Sequence, residues 1–166
     1  MLNTTILALA LITGAQDAKA DDMNCTEEEA KKFMEMRVGK WTGVITVPNG
    51  DEVKTERTGK LSTGGLIQIS KNADGVESTM LFSYDKSTKQ IKALQASSNG
   101  GSFLMSIGKN KDSKWVFTAK VSSTQGNEQT AKGGFTHQKG MVGLTAEVFS
   151  GEQALGKYKV MYTQAK

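Results

Sequence analysis

Few side chains in this sequence have the type and spacing to do chemistry, and the clearest pair sets a cation against an indole. Asn49-Gly50 alone suggests a two-residue turn, but that register puts Ile45 opposite Lys54 and mixes apolar with charged residues on one face. A three-residue loop, Pro48-Asn49-Gly50, gives proline the first turn position and glycine the left-handed one. Ile45 then faces Val53, and Trp41 faces Arg57. A guanidinium over an indole face gains about 0.5–2 kcal/mol, depending on desolvation. Arg57 turned inward would also capture a ligand carboxylate. The chain has two arginines, Arg37 and Arg57, and its formal charge of +4 is spread over lysine-rich turns. Bidentate readout of phosphates or bases has little to work with, so nucleic acid is not an expected partner.

His137 is the only histidine. It shares a strand face with Phe135, and a haem-binding barrel would need it as proximal ligand. No second histidine or acidic cluster of ligand spacing accompanies it, so no metal ion is expected. No serine sits in a Gly-x-Ser-x-Gly elbow, and Gly100-Gly101 and Gly133-Gly134 fall in hairpins, where they cannot form phosphate loops. These absences point to a protein that is not an enzyme and carries no cofactor. The single cysteine, Cys25, cannot form an intramolecular disulfide; an exposed N-terminal thiol is expected, in a monomer or in a weak dimer that it cross-links.

The elements that would position these residues follow from the pattern of the chain. Residues 1–20 read as a secretory signal. Ile6 to Ile12 is apolar but too short to span a bilayer, and Ala18-Lys19-Ala20 supplies a small-x-small cleavage site, although no Lys or Arg precedes the apolar run. Export to the periplasm or beyond is therefore expected, with no membrane span elsewhere. Removing the leader leaves about 146 of the 166 residues, the size of one domain. Within it, residues 21–38 form an N-terminal segment and capping helix, and residues 39–166 a barrel. Thr26 and Glu29 fit a capping box for a helix from Glu27 to about Met36, with Ala30, Phe33, Met34 and Met36 on its apolar face.

From Trp41 the period changes to that of short strands, separated by nine turn clusters between Pro48 and Gly156. Nine turns imply ten strands, and connections this short imply antiparallel neighbours. An up-and-down meander of that length closes into a β-barrel rather than leaving two sticky edges, so the fold class is all-β. A four-residue loop from Asn72 to Gly75 aligns Ile69 with Ser78 and Ile67 with Met80, placing both isoleucines inside. The same alternation puts Met80, Phe82, Tyr84, Phe103, Met105, Trp115 and Phe117 on the inner face with Trp41 and Arg57, and these nine are the candidate ligand-binding residues. Flexible, polarizable methionines suit an adaptable lining.

The short helix, then Val38-Gly39-Lys40-Trp41-Thr42-Gly43, Gly64-Gly65-Leu66 and Leu81-Phe82-Ser83-Tyr84-Asp85, resemble a calycin-like (lipocalin-type) barrel, and within that group a bacterial exported family of unknown function. The resemblance covers roughly Glu27 to Gln164. Gly39 to Gly43 is also similar, more distantly, to the opening of nitrobindin-like haem barrels, though the later histidine environment of those proteins is missing. The resemblance implies a small, often hydrophobic molecule bound inside the barrel. It also implies one barrel end closed by a basic side chain on Trp41, a place open to Arg57, Lys157 or Lys159. The expectation is an exported carrier of a small hydrophobic or amphipathic ligand. A protein-interaction or inhibitor module using an outward patch of Leu81, Leu94 and Leu104, and a haem-binding barrel, stand as alternatives.

Overall fold

The computed structural model describes residues 22–122 and 128–165, so the leader read at 1–20 and most of the turn at 123–128 lie outside the described residues. A nine-residue helix, α1 (Glu27–Glu35), precedes ten strands. These are β1 (Gly39–Thr46), β2 (Glu52–Ser62), β3 (Gly65–Asn72), β4 (Glu77–Asp85) and β5 (Gln90–Ser97). The rest are β6 (Ser102–Lys109), β7 (Trp115–Ser122), β8 (Glu128–Gln138), β9 (Met141–Ser150) and β10 (Gln153–Gln164). Each strand pairs antiparallel with the next, and β1 closes the circle by pairing with β10, Ile45 opposite Val160. Closure removes every sheet edge. The expected ten-stranded up-and-down barrel with a short N-terminal helix is the observed fold.

The helix starts as its sequence dictates. Thr26 accepts from the Glu29 N–H, and Glu29 returns a bond from the Thr26 N–H at 2.8 Å. Ala30, Phe33 and Met34 are buried, whereas Met36, expected on the same face, is exposed because the helix has ended before it. Lys109 ties the first turn down through Glu29 at 2.7 Å. Phe33 reaches into the barrel end where odd-numbered strands begin, with its ring centre 4.5 Å from that of Trp115 and 5.1 Å from that of Phe135.

The first hairpin has the expected register, Ile45 on Val53 and Trp41 on Arg57, with Gly50 at φ +90°. The second does not. Asn72 pairs with Val76 rather than opening the loop, leaving a three-residue Ala73-Asp74-Gly75 connection with Gly75 at φ +80°. Gln68 therefore faces Met80 and Ile69 faces Thr79. A slip of one residue turns over a whole strand. Ile67 and Ile69 consequently lie on the outer surface, and Leu66, Gln68, Ser70 and Asn72 occupy the inner face of β3. The side chain of Asn72 supports the tighter loop, because its Oδ1 accepts from the Val76 N–H at 2.9 Å beside the backbone bond from the Asn72 N–H to the Val76 carbonyl.

Cys25 also departs from expectation. It is 4% exposed, its N–H donates to the Lys89 carbonyl, and its own carbonyl accepts from the Tyr84 hydroxyl. Burial, with the Glu29 carboxylate nearby, pushes the thiol up to about 11. It is a protonated core group and not an exposed cross-linker.

Candidate functional site

Two apolar clusters divide the barrel interior. One, which takes in the buried face of α1, gathers Phe33, Phe82, Phe103, Met105 and Phe117; the other gathers Trp41, Ile45, Val142, Val160 and Tyr162. Between them lies a cavity of about 60 Å³, bordered by residues from both. Such a volume holds about four to six waters at ~10–15 Å³ each. It is far below the ~300–1,000 Å³ of sites for drug-sized molecules, so the occupant must be small.

Five of the nine candidate residues border this cavity: Arg57, Met80, Phe82, Phe103 and Met105. The other four lie elsewhere. Trp41 is buried beneath Arg57, whose guanidinium carbon lies 5.9 Å from its ring centre and 3.8 Å from that of Tyr162. Trp115 and Phe117 belong to the packing under α1, and Tyr84 reaches to the Cys25 carbonyl. The structure adds a polar wall of Thr55, Gln68, Ser70, Asn72, Ser78 and Gln95. The residue of most consequence that sequence reasoning passed over is Arg37.

Arg37 follows the C-terminus of α1 and turns into the barrel, 1% exposed. One nitrogen, Nη1, donates to the Phe33 carbonyl at 2.7 Å, an end-of-helix acceptor with no partner inside α1. The guanidinium carbon stands 3.4 Å from the Phe33 ring centre and 4.9 Å from that of Phe135. The Arg37 carbonyl presses against Gly59, where any Cβ would overlap it. Glycine at this point of β2 is what admits the chain. Both arginines border the cavity, and burial, joined for Arg37 by the charge of Arg57, weakens their hold on the proton.

The polar accounting of this interior is one-sided. Arg37 Nη2, Arg57 Nε and Nη2, and Asn72 Nδ2 are buried without partners. Among the described residues no carboxylate pairs with either guanidinium. Desolvating an ion costs several kcal/mol even after relaxation. A desolvated cation–π contact returns about 2 kcal/mol. The aromatic rings therefore offset only part of the cost. His137 adds to the imbalance: its Nε2 is buried and unpartnered, and burial, then Arg37 and Arg57, bring its pKa down to about 3. The ring is neutral at ordinary pH and packs 5.4 Å from Phe33, below α1, without bordering the cavity. Among the described residues no cluster of His, Cys, Asp or Glu has the grouping to hold a metal ion.

The sequence matches no model of a known protein family and no curated protein. What the fold defines is a closed, ten-stranded, antiparallel barrel with a helix over one end, an architecture compatible with the calycins.

Proposed function

We propose that this protein is an exported, non-enzymatic binding protein of calycin-like type, holding a small hydrophobic or amphipathic molecule in the barrel cavity. The cavity at the meeting of two apolar clusters, with unsatisfied polar groups on its wall, is the observation that carries the reading. Burial of the ligand's apolar part against Met80, Phe82, Phe103 and Met105 gains about 25 cal/mol per Å². The polar wall fixes its orientation. The leader sequence is the reason to place the protein outside the cytoplasm. Native mass spectrometry of protein exported by a bacterial host, with an absorbance scan alongside, is the test. A retained small-molecule mass is the expected result. A Soret band would redirect the reading to haem, and an empty cavity that no added amphiphile fills would defeat it.

A second reading has its own observation. Ile67, Leu81, Leu94 and Leu104 are directly opposite one another on β3 to β6 and all are exposed, between 36% and 53%. This apolar row ends at Lys60 on one side and Lys120 on the other. It favours a protein-interaction module working through the outer wall.

A further inference from the structure

Deepening the binding reading above, on which it rests, we infer that the ligand is a short-chain organic carboxylate held jointly by Arg37 and Arg57, with Asn72 as a third donor. The unpartnered buried atoms of the three residues that border the cavity are all N–H donors. The amide of Asn72 is oriented by its own loop: Oδ1 takes the Val76 N–H, which leaves Nδ2 to donate. A neutral apolar ligand would fill the cavity and leave four buried nitrogens unsatisfied, at a cost the binding must then absorb. A carboxylate instead gives each buried cation a charge-assisted partner.

Two further features narrow the class. The opposite wall is apolar, so an ion with a hydrocarbon portion fits better than inorganic phosphate. The 60 Å³ volume limits that portion to a few carbons. Arg37 also gives the site a link to the helix, since the Phe33 carbonyl of α1 positions its guanidinium. Arg57 then does more than plug the barrel against Trp41.

The experiment compares thermal melts and calorimetric titrations of the protein with sodium butyrate, butanol, sodium phosphate and palmitate, at constant ionic strength. At a hundredfold excess over Kd, butyrate should raise Tm by about 5–10 °C. Butanol, phosphate and palmitate should each bind at least tenfold more weakly, and Arg37→Met and Arg57→Met should each weaken butyrate tenfold or more. Ser70→Asp places an internal carboxylate on the cavity wall. It should raise the ligand-free Tm and abolish the response to butyrate, so a test survives if the arginine variants do not fold. Butanol binding as well as butyrate, with both arginine variants unaffected, overturns the carboxylate inference and leaves the binding reading standing. Phosphate or palmitate binding in place of butyrate also overturns it. No response to any of the four, from protein that retains no small molecule, overturns both.

Discussion

His137 sits in surroundings at odds with its intrinsic chemistry. Its folded-state pKa of about 3 lies below the ordinary 6.5, through burial first and the two arginines second. As pH falls, the unfolded chain takes up the proton before the folded one does. The stability associated with a neutral His137 is therefore complete above about pH 6.5 and drains away between 6.5 and 3. With a discount for its partial exposure, the loss on going from pH 7 to 4.5 should be about 2 kcal/mol. Urea midpoints at the two pH values measure it, and His137→Phe should flatten the difference. An equal pH response in that variant would assign the acid sensitivity to other groups.

Among the elements, β2 carries the glycine that bears most directly on the site. Gly59 lets the Arg37 carbonyl approach the sheet, and an alanine there meets backbone rather than a side chain that can swing aside. Gly59→Ala should cost about 1–3 kcal/mol, read as a lower Tm, and should displace Arg37 enough to weaken carboxylate binding. An unchanged Tm would mean that the α1–β1 connection shifts freely, contrary to its close fit. The helix is better insured. Its capping box, its tie to Lys109 and the insertion of Phe33 all act together, so no one of them carries α1 alone.

At the scale of the molecule, the meander buries one face of each strand and leaves the other to solvent. The row from Ile67 to Leu104 breaks that rule on the outside, as the two cations break it on the inside. Replacing Leu81 by lysine and Leu94 by glutamate together should leave stability within about 0.5 kcal/mol per site, because both side chains are already exposed and the opposite charges face each other across β4 and β5. If the outer wall binds a protein, the double variant should lose the bands that the wild type recovers from envelope extracts. Recovery of no partner by either protein would count against the interaction reading.

Much of this architecture was legible in the chain because its cues are local. The capping box, the change of period after Trp41, the turn clusters and the Pro48-Asn49-Gly50 loop each act over a few residues, and together they define a helix followed by ten antiparallel strands. The inner face was legible wherever apolar residues alternate cleanly, as on β4 and β6. It failed on β3, where Ile67 and Ile69 suggested the wrong face and a tighter loop, held by backbone bonds and by the Asn72 side chain, goes with a register one residue away. That failure hid the polar wall, since Gln68, Ser70 and Asn72 turn inward only when the isoleucines turn out. Arg37 was hidden for a different reason. Nothing in its neighbours in sequence directs it inward; it enters the barrel because a helix docks over one end and Gly59, 22 positions further along, leaves room for its backbone. The register in which β1 meets β10 and the placing of Arg37 within electrostatic reach of Arg57 depend on contacts between distant parts of the chain, and only the folded barrel decides them.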